Sequence, residues 1–437
     1  MSTEGQTSIS KRSDGAAPGG LGAAPVGPRR AGLRAVLCAV GCGALGALGA
    51  AQDTITVFRG ARIHSAAAAP VDNGILVIAG GRIVAVGGPN LELPAGATIV
   101  DCAGRVMTPG LVDAGTTLGV QPGDLNEQGE EITPQLRVVD ALDPKDVRLR
   151  RALRGGVTTI QVNPGNRNVV GGLGAVIKTV GDTVAAMLVR DESGLRLTMG
   201  SEPSSGNRAI RGGTPVGIYY RRPTTRMGVV WETRKAFYDA KAYQERKTVP
   251  DADGGEAAVE PGMEVLVRAL QGEVTVRTTA RMEQDIRTAL RLADEFGYKA
   301  LVEEATEAWR VIDDLAAAGV PVLVASPSRL AAAEGAEVRL DTLNLLAARD
   351  IPFAICTGAD DGGLGLAHEA MFAVRNGLSP ERALRAVTLD AARMLGIDER
   401  VGSLQAGRDA DFVLWSGDPF DPTSAVLSVY VGGREVL

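Results

Sequence analysis

The sequence predicts an α/β protein, a (β/α)8 TIM-like barrel with a small β-sandwich domain formed by both chain ends. Three observations lead there. Short runs rich in β-branched residues crowd both ends, at 54–63, 74–78, 82–86, 99–101 and 105–108, then at 412–415, 426–431 and 434–436. Turns at Asp72-Asn73-Gly74, Gly80-Gly81 and Gly432-Gly433 separate them. Between the ends, strand and helix alternate. Lastly, 437 residues that are 45% hydrophobic and 22% charged suffice for a large core.

The alternating stretch supplies the barrel. Candidate strands are 110–113, 158–162, 175–179, 185–189, 274–279, 300–302, 322–325 and 353–356. Candidate helices are 145–154, 282–296, 307–318, 340–349, 366–376 and 380–395. Alternation implies a mainly parallel sheet with helices outside, and eight strands over roughly 250 residues suit a closed barrel. An open doubly wound sheet is the alternative, but no glycine-rich phosphate turn follows the first strand. The predicted domains are a β-sandwich from 53–106 and 398–437, and a barrel over 107–397 with an insertion at 193–262. A helical stretch near 231–247 falls within that insertion.

Residues 1–51 read as a disordered N-terminus and a signal peptide. Arg29, Arg30 and Arg34 precede an apolar run over 35–51, which ends in Leu48-Gly49-Ala50-Ala51-Gln52. A basic region, an apolar core and small residues at the end mark a segment cleaved on export. The expected location is periplasmic or secreted. A membrane anchor fits less well, because the run is short and half Gly and Ala.

The formal net charge is −6, and residues 1–51 are themselves basic, so the remainder is more acidic still. That balance argues against a nucleic-acid partner. There are only two histidines, His64 and His368. Cys38 and Cys42 lie in the N-terminal run, while Cys102 and Cys356 stand far apart without CxxC spacing. Neither a disulfide framework nor a thiolate zinc site is indicated.

Several stretches together resemble the amidohydrolase superfamily, closest to its imidazolonepropionase-like and prolidase-like members. They are Gly80-Gly81-Arg82-Ile83-Val84-Ala85-Val86-Gly87, then Val100-Asp101-Cys102-Ala103-Gly104-Arg105-Val106-Met107-Thr108-Pro109-Gly110-Leu111-Val112-Asp113. Near the end stands Val401-Gly402-Ser403-Leu404-Gln405-Ala406-Gly407-Arg408-Asp409-Ala410-Asp411. Thr133-Pro134-Gln135-Leu136-Arg137 and Gly155-Gly156-Val157-Thr158-Thr159 look similar too. The resemblance covers nearly all of residues 53–437. It implies a barrel with zinc or another divalent metal at the C-terminal ends of its strands. His-x-His on strand 1, a His on each of strands 5 and 6 and an Asp on strand 8 would hold the metal. A Lys or Glu on strand 4 often bridges two ions. Such a metal lowers the pKa of bound water to about 7 and polarises a carbonyl, which hydrolyses C–N bonds.

This chain departs from that pattern at each position. After Asp113-Ala114, the strand 1 histidines are replaced by Gly115 and Thr117. Strand 5 offers Thr279 or Arg281, strand 6 offers Glu304, and strand 8 offers Gly358. Lys178 is the one candidate relic of a bridging ligand. No cofactor is therefore expected.

The expected function is a family member that has lost metal-dependent catalysis. It would bind a small-molecule ligand, or serve as a non-catalytic subunit in a homo-oligomer or beside an active amidohydrolase. The alternative is an active hydrolase with a carboxylate site drawn from Asp113, Glu303, Glu304, Asp360 and Asp361. Those acids could bind Mg²⁺ or Ca²⁺, act as an acid and base pair, or be solvated loop residues. N-terminal sequencing of the native protein should give a start near Gln52. A soluble pool starting at Met1 would contradict export.

Overall fold

Five strands open the folded chain: β1 (Thr56–Ile63), β2 (Val71–Ala79), β3 (Arg82–Gly87), β4 (Thr98–Asp101) and β5 (Val106–Pro109). Eight barrel strands follow: β6 (Leu111–Thr116), β7 (Val157–Val162), β8 (Val170–Lys178), β9 (Leu188–Thr198), β10 (Val276–Thr279), β11 (Ala300–Glu303), β12 (Val322–Ala325) and β13 (Phe353–Cys356). Then come β14 (Phe412–Trp415), β15 (Val426–Val431) and β16 (Arg434–Glu435). The helices are α1 (Val147–Arg154), α2 (Val184–Met187), α3 (Glu202–Arg208), α4 (Arg226–Lys247), α5 (Pro261–Leu270), α6 (Glu283–Phe296), α7 (Ile312–Ala318), α8 (Thr342–Ala348), α9 (Leu366–Arg375), α10 (Pro380–Ala386) and α11 (Leu389–Met394). This computed structural model describes residues 55–208, 223–247, 258–328, 333–358 and 365–437. Residues 1–51, expected to be an export segment, therefore lie outside the described residues.

Both chain ends meet in one sheet, ordered β16-β15-β14-β5-β1-β2-β3 with β4 beside β1. Antiparallel pairing of β14 with β5 joins the two ends. Alternate residues serve opposite faces. Phe58, Leu76, Ile78, Met107, Phe412 and Tyr430 fill one core, and Val57, Ile75 and Val77 fill another. The Phe412 and Tyr430 rings stack with centroids 4.4 Å apart.

The second sheet runs β6 to β13 in sequence order, and a bridge between Thr116 and Gly358 brings its ends together. The expected barrel with a second domain is confirmed. Period-two burial divides its residues. Val276, Val302, Val322, Phe353 and Ile355 face the surrounding helices, while Val112, Ala114, Leu301, Leu323, Ala354 and Cys356 line the axis. Ala391, Ala392 and Leu395, at α11, pack against that inner lining and close the N-terminal end of the barrel.

Four local expectations need correction. β8 runs antiparallel to both β7 and β9, so the barrel is not wholly parallel. The chain between β7 and β8 is too short for a crossover helix, and a short link can join only antiparallel strands. Residues 184–187 form α2, so β9 begins at Leu188, near the end of the expected 185–189 strand. β9 then continues to Thr198, so 193–198 belong to the barrel and not to the insertion. Gly194 and Arg196 hid that strand by breaking its apolar run. Finally, the expected helix over 380–395 is two helices, α10 and α11.

The reversal of β8 also moves Lys178. It ends β8 opposite Thr159, near the start of β7, and so sits at the N-terminal end of the barrel. Its ammonium bonds to Asp411 and lies 3.2 Å from Asp409. Lys178 is thus no relic of a metal bridge. It ties the barrel floor to the segment leading into β14. Replacing it by methionine would leave Asp411, only 3% exposed, without its cation. Lys178→Met should cost about 3–5 kcal/mol in urea unfolding.

Candidate functional site

At the C-terminal ends of the strands the barrel interior turns from apolar to ionic. Leu195 and Leu197 pack into the outer core, so Arg196 between them points inward. By the same alternation Arg277 and Thr279 on β10, and Glu303 on β11, face the axis. Arg277 is 1% exposed, Arg196 4% and Glu303 2%. Glu303 takes ion pairs from both guanidinium groups and a hydrogen bond from the Asn163 side chain at 3.3 Å. The same Arg277 Nη2 that pairs with Glu303 also donates to the carbonyl of Ala114 at 2.6 Å. Its stem runs beside Gly194, where a Cβ would lie 2.4 Å from its Cδ. Burial and the neighbouring Arg196 charge push the Arg277 guanidinium down to about 9, so it stays cationic at neutral pH.

The network continues outward. Glu304 lies one residue past β11, with φ at 57°. Its carboxylate accepts from Asn166 Nδ2 at 3.0 Å, Arg196 Nη2 at 3.2 Å and Arg281 Nε at 2.8 Å. Burial disfavours this charge, but Arg281 and Arg196 outweigh it and hold the carboxyl below its usual range. Arg281 also donates to Glu202 at 2.7 Å and lies 3.5 Å from Glu334. Glu334 accepts the backbone N–H groups of Ser201 and Glu202, each at 3.1 Å, and pairs with Arg226 at 2.8 Å. A chain of alternating charges therefore runs from the barrel axis to the first residue of α4.

The space between Gly115, Thr116, Thr117, Asn163, Asn166, Arg196, Glu303, Glu304, Cys356 and Gly358 is about 10 Å³, room for about one water molecule. The structure brings together Gly115, Thr117, Glu303, Glu304 and Gly358 at this cavity, with Thr279 beside it donating to Asn166 at 3.3 Å. Glu303 and Glu304 are buried ion-pair members, not solvated loop acids. Asp360 and Asp361 lie outside the described residues. Asp113 does not line the cavity. It is 1% exposed and accepts from Thr357 Oγ1 at 2.5 Å and from the Thr357 and Gly115 N–H groups at 3.2 and 3.3 Å. His64 follows β1 in the other sheet, and His368 lies in α9.

The residues present do not fit a divalent metal. Its ligands must offer free lone pairs, and the two carboxylates here already neutralise guanidinium groups. A divalent ion 4 Å from one guanidinium would meet repulsion of about 8 kcal/mol at an effective dielectric of 20. Packing also fixes the departures. A Cβ at Gly115 would lie 2.8 Å from Leu323 Cδ2 and 3.4 Å from Cys356 Sγ. Gly358 adopts φ 72°, a conformation an aspartate would enter only with strain. Sequence reasoning missed Asn163, Asn166, Arg196, Arg277 and the roles of Glu202 and Glu334. A single arginine between two strand leucines was the available signal for Arg196.

The fold is a closed barrel with a second sheet made from both chain ends, and comparison with known proteins gives its family. Residues 284–436 match the Amidohydrolase family. The crystal structure of an amidohydrolase from Thermotoga maritima MSB8 is 33% identical with a TM-score of 0.79, covering 87% of this chain and 99% of that one. This chain belongs to the amidohydrolase family. It is 27% identical over 397 residues to the imidazolonepropionase of Klebsiella pneumoniae (strain 342), across 83% of this chain and 89% of that protein. It is also 27% identical over 375 residues to amidohydrolase tasK of Hapsidospora irregularis, across 79% of this chain. That match spans only 38% of the length of tasK.

Asp113 supplies a pH test. Burial pushes its carboxyl up to about 6, against about 3.9 in the unfolded chain. Between those values the folded chain holds a proton that the unfolded chain has lost. The stabilisation is complete below about pH 4 and is lost as pH rises through 6, on the order of 3 kcal/mol. The urea midpoint should fall over that window, and Asp113→Asn should flatten the fall. An equally steep profile in the variant would assign the slope to other groups.

Proposed function

We propose that this amidohydrolase-family protein does not carry out metal-dependent C–N hydrolysis. It acts instead as a binding protein for a small molecule, or as a non-catalytic subunit paired with itself or with an active relative. The observation that carries this reading is the placement of Arg196 and Arg277 around Glu303, with Arg281 and Arg196 around Glu304. Buried guanidinium groups stand where the resemblance calls for metal ligands. Water at this mouth has no lone-pair cage to fix a Lewis acid beside it, and both inward carboxylates are engaged as counter-ions rather than poised as bases. The export segment adds a location outside the cytoplasm to the proposal.

The test pairs elemental analysis of purified protein with assays on N-acyl amino acids and dipeptides, with and without added zinc. Substoichiometric zinc and no turnover are expected. Near-stoichiometric zinc with turnover that a chelator abolishes would overturn the reading.

A further inference from the structure

Glu304 occupies its surroundings as a ligand occupies a receptor. Its Oε2 accepts two donors of one guanidinium, Arg281 Nε at 2.8 Å and Arg281 Nη2 at 2.6 Å. Its Oε1 accepts from Asn166 Nδ2 and Arg196 Nη2. One guanidinium on one oxygen, with an amide and a second guanidinium on the other, is a charge-assisted donor set that suits a carboxylate. The donors do not depend on Glu304 for their positions. Asn166 is oriented through its oxygen by Arg196 Nε at 3.2 Å and Thr279 Oγ1 at 3.3 Å. Arg196 is anchored below by Glu303, and Arg281 is held from its far edge by Glu202 at 2.7 Å. Glu304 itself is the least settled member. Its backbone is left-handed, a conformation that costs a non-glycine residue and persists only when its surroundings impose it. Its side chain remains 13% exposed, against 4% for Arg196 beneath it.

We propose that Asn166, Arg196 and Arg281 form a binding site for the carboxylate of a small molecule, closed in the resting chain by the side chain of Glu304. The ligand's carboxylate takes the place of the Glu304 carboxylate, which swings outward toward solvent. Only the carboxylate head enters, because the space below has room for about one water. The rest of the ligand lies outward, beyond the barrel mouth. This inference rests on the metal-free reading of the mouth and gives that reading a ligand class.

The experiment is chemical rescue with acetate in the full chain. Glu304→Gly removes the internal carboxylate and suits the left-handed backbone, and Glu304→Ala serves as a second variant. Each should melt below the unsubstituted protein. Acetate should recover at least half of the lost melting temperature, saturably. Acetamide, or chloride at matched ionic strength, should not. The unsubstituted protein should respond little, because a tethered carboxylate outcompetes a free one. Adding Arg281→Lys should abolish the recovery. If a variant accumulates unfolded, its refolding yield in acetate against chloride reads the same rescue. Equal responses to acetate and chloride, an equal response in the unsubstituted protein, or recovery that survives Arg281→Lys would overturn the proposal. Elemental analysis of the same preparations separates the two readings. Stoichiometric zinc overturns the non-catalytic reading, whereas zinc-free protein indifferent to acetate overturns only this one.

Discussion

Glu303 is a carboxylate held on the barrel axis between two guanidinium groups, and the arrangement of the mouth follows from it. An ion at 2% exposure persists only when opposite charge and hydrogen bonds surround it. Arg277 reaches Glu303 from the neighbouring strand through space that Gly194 leaves free, and Arg196 reaches it from two strands away. Two cations against one anion require a further acid, which Glu304 supplies. Glu304 in turn takes Arg281, and Arg281 meets Glu202 and Glu334. Each charge calls for the next until the chain of pairs ends near the surface at Arg226 and Asp285.

The two ends of the barrel are held by different physics. The floor is apolar: the α11 segment packs onto Val112, Leu301 and Ala354, and Lys178 with Asp411 adds one buried ionic tie to the other sheet. The mouth is ionic and almost without free volume. In barrels of this kind the floor bears on stability and the mouth on chemistry. Here the mouth has been given a set of charges that satisfy one another. Membership of the amidohydrolase family fixes the scaffold, while what the scaffold does depends on those side chains.

The antiparallel β8 shows how one topological detail redirects a functional reading. A lysine at a strand end in an alternating pattern looks like a mouth residue. Once the strand is reversed, the same lysine lies at the floor. Asn163 and Asn166 lie in the short link that follows the C-terminal end of β7, and reach Glu303 and Glu304 at the mouth.

Local sequence determined much of this protein. Period-two apolar runs specified the strands, amphipathic stretches specified most helices, and the missing metal ligands that the resemblance calls for were visible at Gly115, Thr117 and Gly358. These are properties of neighbouring residues, and neighbours in sequence carry them. The ionic core was settled only by tertiary structure. Glu303 meets Arg277 on the adjacent strand and Arg196 two strands away, and Glu304 meets Asn166, 138 residues earlier. Nothing in a local window says that an arginine between leucines will face the axis instead of solvent. Barrel closure alone decides which face of β9 becomes interior, and with it where Arg196 puts its charge.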